Sequence, residues 1–101
     1  MGWVTLAVDS LRAGRTVQVR PRGHSMRPRI HDGDLVTIAP CDPESVAVDD
    51  VVLVRLHGNW LLHRVTAVDG PRVQIGNNHG KINGWAGRAS ILGRVTDVTQ
   101  S

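Results

Sequence analysis

Ser25 sits within Arg22–Val36, RGHSMRPRIHDGDLV. A serine hydroxyl is a weak nucleophile until a neighbouring base takes its proton and N–H donors meet the oxyanion that forms on its target. Gly23 and Pro28 restrict the backbone on either side, so a turn here can aim both the hydroxyl and adjacent N–H groups at a substrate. Serine also suits turns for purely structural reasons, and the residue types alone leave both readings open. The base that chemistry would need is offered by His63, in WLLHRVTAV (residues 60–68). Strand alternation puts His63 on a face with Leu61, Val65 and Ala67. An imidazole on such a face is either a packed structural side chain or a neutral general base, because apolar surroundings disfavour imidazolium.

Other reactive groups form weaker patterns. The five histidines (His24, His31, His57, His63 and His79) and the single Cys41 match no zinc spacing, so no metal is expected. Cys41 lies between prolines and acids, reads as an incidental thiol, and has no disulfide partner. GNNHGKINGWAG, residues 76–87, is glycine-rich but lacks the order of a phosphate-binding loop. Its glycines and asparagines suit turns with positive φ, with Trp85 as a packing anchor. No cofactor is implied.

The elements that must position these residues are short. Val4, Ala7, Val8 and Leu11 recur at helical spacing before Gly14, giving one N-terminal helix within residues 1–15. The β domain then runs over residues 16–98. Strands are expected at residues 16–20, 35–39, 51–56, 60–68, 73–75 and 91–98, with His57-Gly58-Asn59 closing a hairpin between the third and fourth. Proline and glycine exclude regular structure across the Ser25 stretch. The 101 residues suit one domain, 41% are hydrophobic, and only three are aromatic, so valine, leucine and isoleucine must fill the core. The fold class is mostly β, a small antiparallel domain with one short helix. Six arginines and no acid lie between Arg12 and Arg29, a solvated basic face or a docking surface. No aromatic-interleaved basic motif points to nucleic acid.

A resemblance joins these pieces. GHSMRPRIHDGDLVTI resembles the Ser-Met-x-Pro and Gly-Asp boxes of the signal peptidase I and LexA-like superfamily of serine peptidases. DDVVLVRL and WLLHRVTAV resemble its next two boxes, IGNNHGKING falls at its Gly-Asp-Asn-like segment, and ILGRV is similar to its closing strand. The likeness runs in order from about Gly23 to Val95. It implies the β fold of that catalytic domain with Ser25 as nucleophile. Where LexA-like members carry a lysine base, this chain reads Leu62-His63-Arg64-Val65, which is similar to the histidine form of archaeal and endoplasmic-reticulum signal peptidases. Lys81, beyond that box, reads as a solvated loop lysine.

The chain departs from the family at the orienting acid. The only acids after His63 are Asp69 and Asp97, neither in the Gly-Asp-Asn-like segment. That segment is Gly76-Asn77-Asn78, with Asn83 near a later aspartate of the family, so Asn77 and Asn83 become the candidate orienting groups. Met26 and Pro28 are expected to line and stiffen the nucleophile loop. Asp34 is expected to accept backbone N–H groups and fix the turn before the next strand.

The resemblance thus implies a Ser25–His63 serine endopeptidase acting on a peptide or protein, in protein processing or self-cleavage. The rival expectation is a catalytically silent module that binds a peptide or partner on the same fold. With no apolar run of about 20 residues and no signal-peptide pattern, a cytoplasmic location is expected. No oligomeric state is implied.

Overall fold

The computed structural model describes residues 2–22 and 30–100. Helix α1, Trp3–Arg12, buries Ala7, Val8 and Leu11. It stops where Gly14 takes φ 78°. There the Arg15 N–H bonds Ser10 O at 2.9 Å and the Gly14 N–H bonds Leu11 O at 3.0 Å, the two bonds of a Schellman ending.

Seven strands follow: β1 (Val17–Val19), β2 (Leu35–Ala39), β3 (Val51–Leu56), β4 (Asn59–Asp69), β5 (Arg72–Gly76), β6 (Ile82–Gly87) and β7 (Ile91–Thr99). They form one sheet in the order β1-β2-β7-β3-β4-β5-β6, and every neighbouring pair is antiparallel. Among the described residues the architecture is therefore mostly β with one short α-helix.

β3 sits near the middle of the sheet and is buried on both faces, as its unbroken VVLV run requires. Val51 and Leu53 join the core beneath α1 with Val36, Ile38 and Leu62. Val52 and Val54 join a second core with Val65, Val73, Ile75, Ala86 and Ile91. The sheet curls strongly around that second core. At Gly84, φ 143°, a methyl group would lie 3.3 Å from His57 Nε2 and 3.7 Å from Leu56 Cδ2, so edge strand β6 passes close to the β3–β4 turn.

Three details correct the sequence reading. The second half of the glycine- and asparagine-rich stretch is strand β6, paired with β5 from Arg72↔Gly87 to Gly76↔Ile82. Backbone ladder bonds do not need branched side chains, and the hairpin supplies the register. Trp85 is not a packing anchor: it pairs with Gln74 and stays 39% exposed, with the Arg72 guanidinium 5.7 Å from its ring, while its neighbour Ala86 pairs with Val73 in the core. Ala67 does not share the His63 face. The ladder steps from Val65↔Ile75 to Ala67↔Gln74, which leaves Thr66 as a bulge and turns Ala67 to the opposite side.

Candidate active site

Ser25, Met26 and Pro28 lie outside the described residues. The chain on either side of them forms a frame. Arg20 Nη1 donates to Gly33 O at 2.8 Å and so ties β1's end to the turn before β2. Asp34, only 3% exposed, accepts the His31 N–H at 2.8 Å and donates its own N–H to His31 O at 3.0 Å. With Gly33 at φ 89°, this reciprocal pair sets the direction in which the chain runs into β2.

His63 lies on β4 opposite Val52, one pair along from Leu62↔Leu53. Cross-strand partners share a face, so the imidazole belongs to the Val52 side, with Leu61 and Val65, over the second core. Its Nδ1 lies 2.9 Å from Asn83 Oδ1. Asn83 reaches it through a second bulge: the β5–β6 ladder jumps from Ile75↔Gly84 to Gly76↔Ile82 and leaves Asn83 unpaired. An inserted residue of this kind re-aims a side chain that strict alternation would send elsewhere. An amide oxygen only accepts, so Nδ1 is the donor, and in the neutral ring Nε2 is the basic nitrogen.

Burial, one hydrogen bond and one charge decide how readily that ring protonates. Burial lowers the His63 pKa from its ordinary value, and the positive charge of Lys81 lowers it further, against an upward pull from the Asn83 hydrogen bond. The net direction is down, which favours the neutral imidazole. Lys81 is exposed in the β5–β6 turn, and its electrostatic reach to His63 was hidden in the sequence by the intervening residues.

Asn77, the other candidate orienting residue, turns into its own loop. Its Oδ1 accepts the His79 N–H at 2.8 Å and the Lys81 N–H at 3.0 Å, while its own N–H bonds Lys81 O at 2.9 Å. Asn78 Oδ1 accepts from Arg64 Nε at 3.1 Å, and Arg64 Nη1 pairs with Asp49 at 2.9 Å. Adjacent β4 residues therefore grip the 77–83 segment from opposite faces, His63 through Asn83 and Arg64 through Asn78. Sequence reasoning gave Arg64 no part; its place beside His63 was the one available signal. Asp69 pairs with Arg72 across the β4–β5 hairpin, and Asp97 accepts from Thr99 Oγ1 at 3.3 Å, so neither acid serves the imidazole.

The remaining reactive groups stand apart. Burial pushes the Cys41 thiol up, only partly countered by Arg94 and reinforced by Asp50 and Asp42, which keeps it a protonated thiol rather than a nucleophile. A cavity of about 150 Å³ is lined by Ile30, Asp49, Asp50, Val51, Val95 and Val98. It opens on the Val51 side of β3, opposite the Val52 side that carries His63. Among the described residues no three histidine, cysteine or acidic side chains form a metal-binding group. No described helix is long and apolar enough to cross a membrane.

Among the described residues, one curled antiparallel sheet of seven strands lies behind one short helix, and at its β5–β6 register break Asn83 meets His63. The Peptidase S24-like family matches residues 3–96, and the chain belongs to that family. The LexA and signal peptidase I relationship implied by the sequence boxes is thereby shown. No curated protein matches the chain.

Proposed function

We propose that this chain is a serine endopeptidase in which Ser25 is the nucleophile, His63 the general base and Asn83 the group that orients the base. The observation that carries the proposal is the 2.9 Å contact between His63 Nδ1 and Asn83 Oδ1. It favours the tautomer in which Nε2 accepts a proton, and burial favours the uncharged ring that a base must be. Ser25 Oγ attacks the scissile carbonyl as its proton passes to Nε2. The imidazolium then donates that proton to the leaving amine, and an acyl-enzyme remains. Water, deprotonated by the same nitrogen, releases the acid and restores the serine. An amide orients the ring as a carboxylate does but stabilises imidazolium less, which suits a slow enzyme of processing or self-cleavage.

Labelling by a fluorophosphonate probe tests this reading. The wild type is expected to react at Ser25, and Ser25→Ala abolishes labelling. His63→Ala reduces it by roughly 10²–10⁴-fold, the usual contribution of a general base. Circular dichroism of the variants reports whether they keep the fold. A folded wild type that stays unlabelled across pH 5–9 would overturn the proposal in favour of a silent binding module.

A further inference from the structure

On the α1 side of the sheet, away from His63, Trp60 packs partly buried against the first core. Its cross-strand partner is Arg55, whose guanidinium carbon lies 5.6 Å from the indole centroid. Arg12, the last residue of α1, brings a second guanidinium to 5.7 Å from the same centroid. Both arginines are exposed, and Arg15 is exposed just beyond them.

The described residues give neither of these cations an ion pair. The ion pairs among them are Arg64–Asp49 and Arg94–Asp50. Asp9, three residues before Arg12 on the helix, makes none. Arginines elsewhere are satisfied differently: Arg88 donates to the carbonyls of Gly70, Pro43 and Val46 and holds three loops together. Around Trp60, by contrast, two like charges are gathered on one ring, and among the described residues neither has an ion pair to offset their repulsion. The whole span from Arg12 to Arg29 adds positive charge and no acid.

We propose that Arg12 and Arg55, held by Trp60, form a docking site for an acidic peptide segment, each guanidinium taking one carboxylate. A planar guanidinium stacked on an indole keeps its N–H edge outward, the edge that pairs bidentately with a carboxylate. Both guanidinium carbons lie within 5.7 Å of one ring centroid and so make a compact spot, whereas a nucleic-acid strand needs a track of phosphate contacts and open aromatic faces for its bases. The indole here is already engaged by both arginines. The site shares no residue with the Ser25–His63 machinery, so it stands whether or not that machinery is active.

Fluorescence anisotropy of the full chain with a labelled tetraglutamate peptide tests the proposal, alongside tetraglutamine and an oligothymidylate of equal charge. Tetraglutamate is expected to bind with an affinity that falls as salt rises. Arg12→Gln and Arg55→Gln are each expected to weaken it about tenfold. Arg72→Gln, which removes the guanidinium over Trp85, leaves it unchanged. Trp60→Leu loses affinity although both charges remain, and Trp60→Phe restores most of it. Wild-type affinity in the Arg12→Gln/Arg55→Gln double variant would overturn the proposal. So would equal binding of tetraglutamine, or tighter binding of oligothymidylate with the same dependence on the two arginines.

Discussion

β3 and β4 pair residue for residue from Val51↔Arg64 to Leu56↔Asn59, and His57 and Gly58 close the hairpin with φ of 51° and 79°, the signs a type I′ turn demands. β5 and β6 are neighbours in the same sheet, yet their ladder skips Asn83. The regular pair buries Val52, Leu53 and Val54 completely and supplies both cores. The irregular pair buries less, and its unpaired residue meets the imidazole. Between these two hairpins, unbroken register accompanies the larger share of the core, while a slip of one residue brings Asn83 to the imidazole; slips at β2–β7, β3–β7 and β4–β5 lie within the core and carry no such pair.

The sharpest way to break that contrast is to damage each region and read both stability and chemistry. Leu53→Ala removes a fully buried side chain from the regular ladder. It is expected to cost roughly 2–5 kcal/mol in urea denaturation, while the fraction that remains folded reacts with fluorophosphonate at the wild-type rate. Asn83→Ala is expected to do the reverse. Labelling falls by about a hundredfold as the tautomer loses its anchor, while stability falls by only about 1 kcal/mol for the lost hydrogen bond. Similar stability losses from the two variants would mean that the bulge is part of the core and that the contrast is false.

The same contrast separates what could be read in the sequence from what could not. The bounds of β2 and β3 were legible because branched residues there run between proline, glycine and acidic breaks. The end of α1 was legible in Gly14. β6 was not, since INGWAG carries two glycines and an asparagine, and its strand character comes from the ladder to β5 rather than from its own propensity. His63 could be picked out as the candidate base by its box, but the choice between Asn77 and Asn83 as its partner could not be made. That choice depends on a bulge, and a bulge is a relation between two strands with no mark in either one alone. The face of Ala67 was misread for the same reason, at the Thr66 bulge.

The smallest expected effect concerns protons, and it tests whether the irregular turn tunes the base as well as orienting it. Burial and Lys81 lower the His63 pKa, so the acid limb of a labelling-rate profile is expected below the ordinary histidine value of about 6.5. Lys81→Met removes a positive charge and moves that limb upward, and Asn83→Asp moves it upward by adding a negative one. The sign carries over to folding. Between the lowered folded pKa and about 6.5 the unfolded chain binds more protons at this residue, so its contribution to stability is lost as pH falls through that window and regained as pH rises. His63→Gln should flatten this part of the stability profile, as read from urea midpoints at a series of pH values. A limb that stays in place in Lys81→Met would show that the turn orients the imidazole through Asn83 without setting its charge.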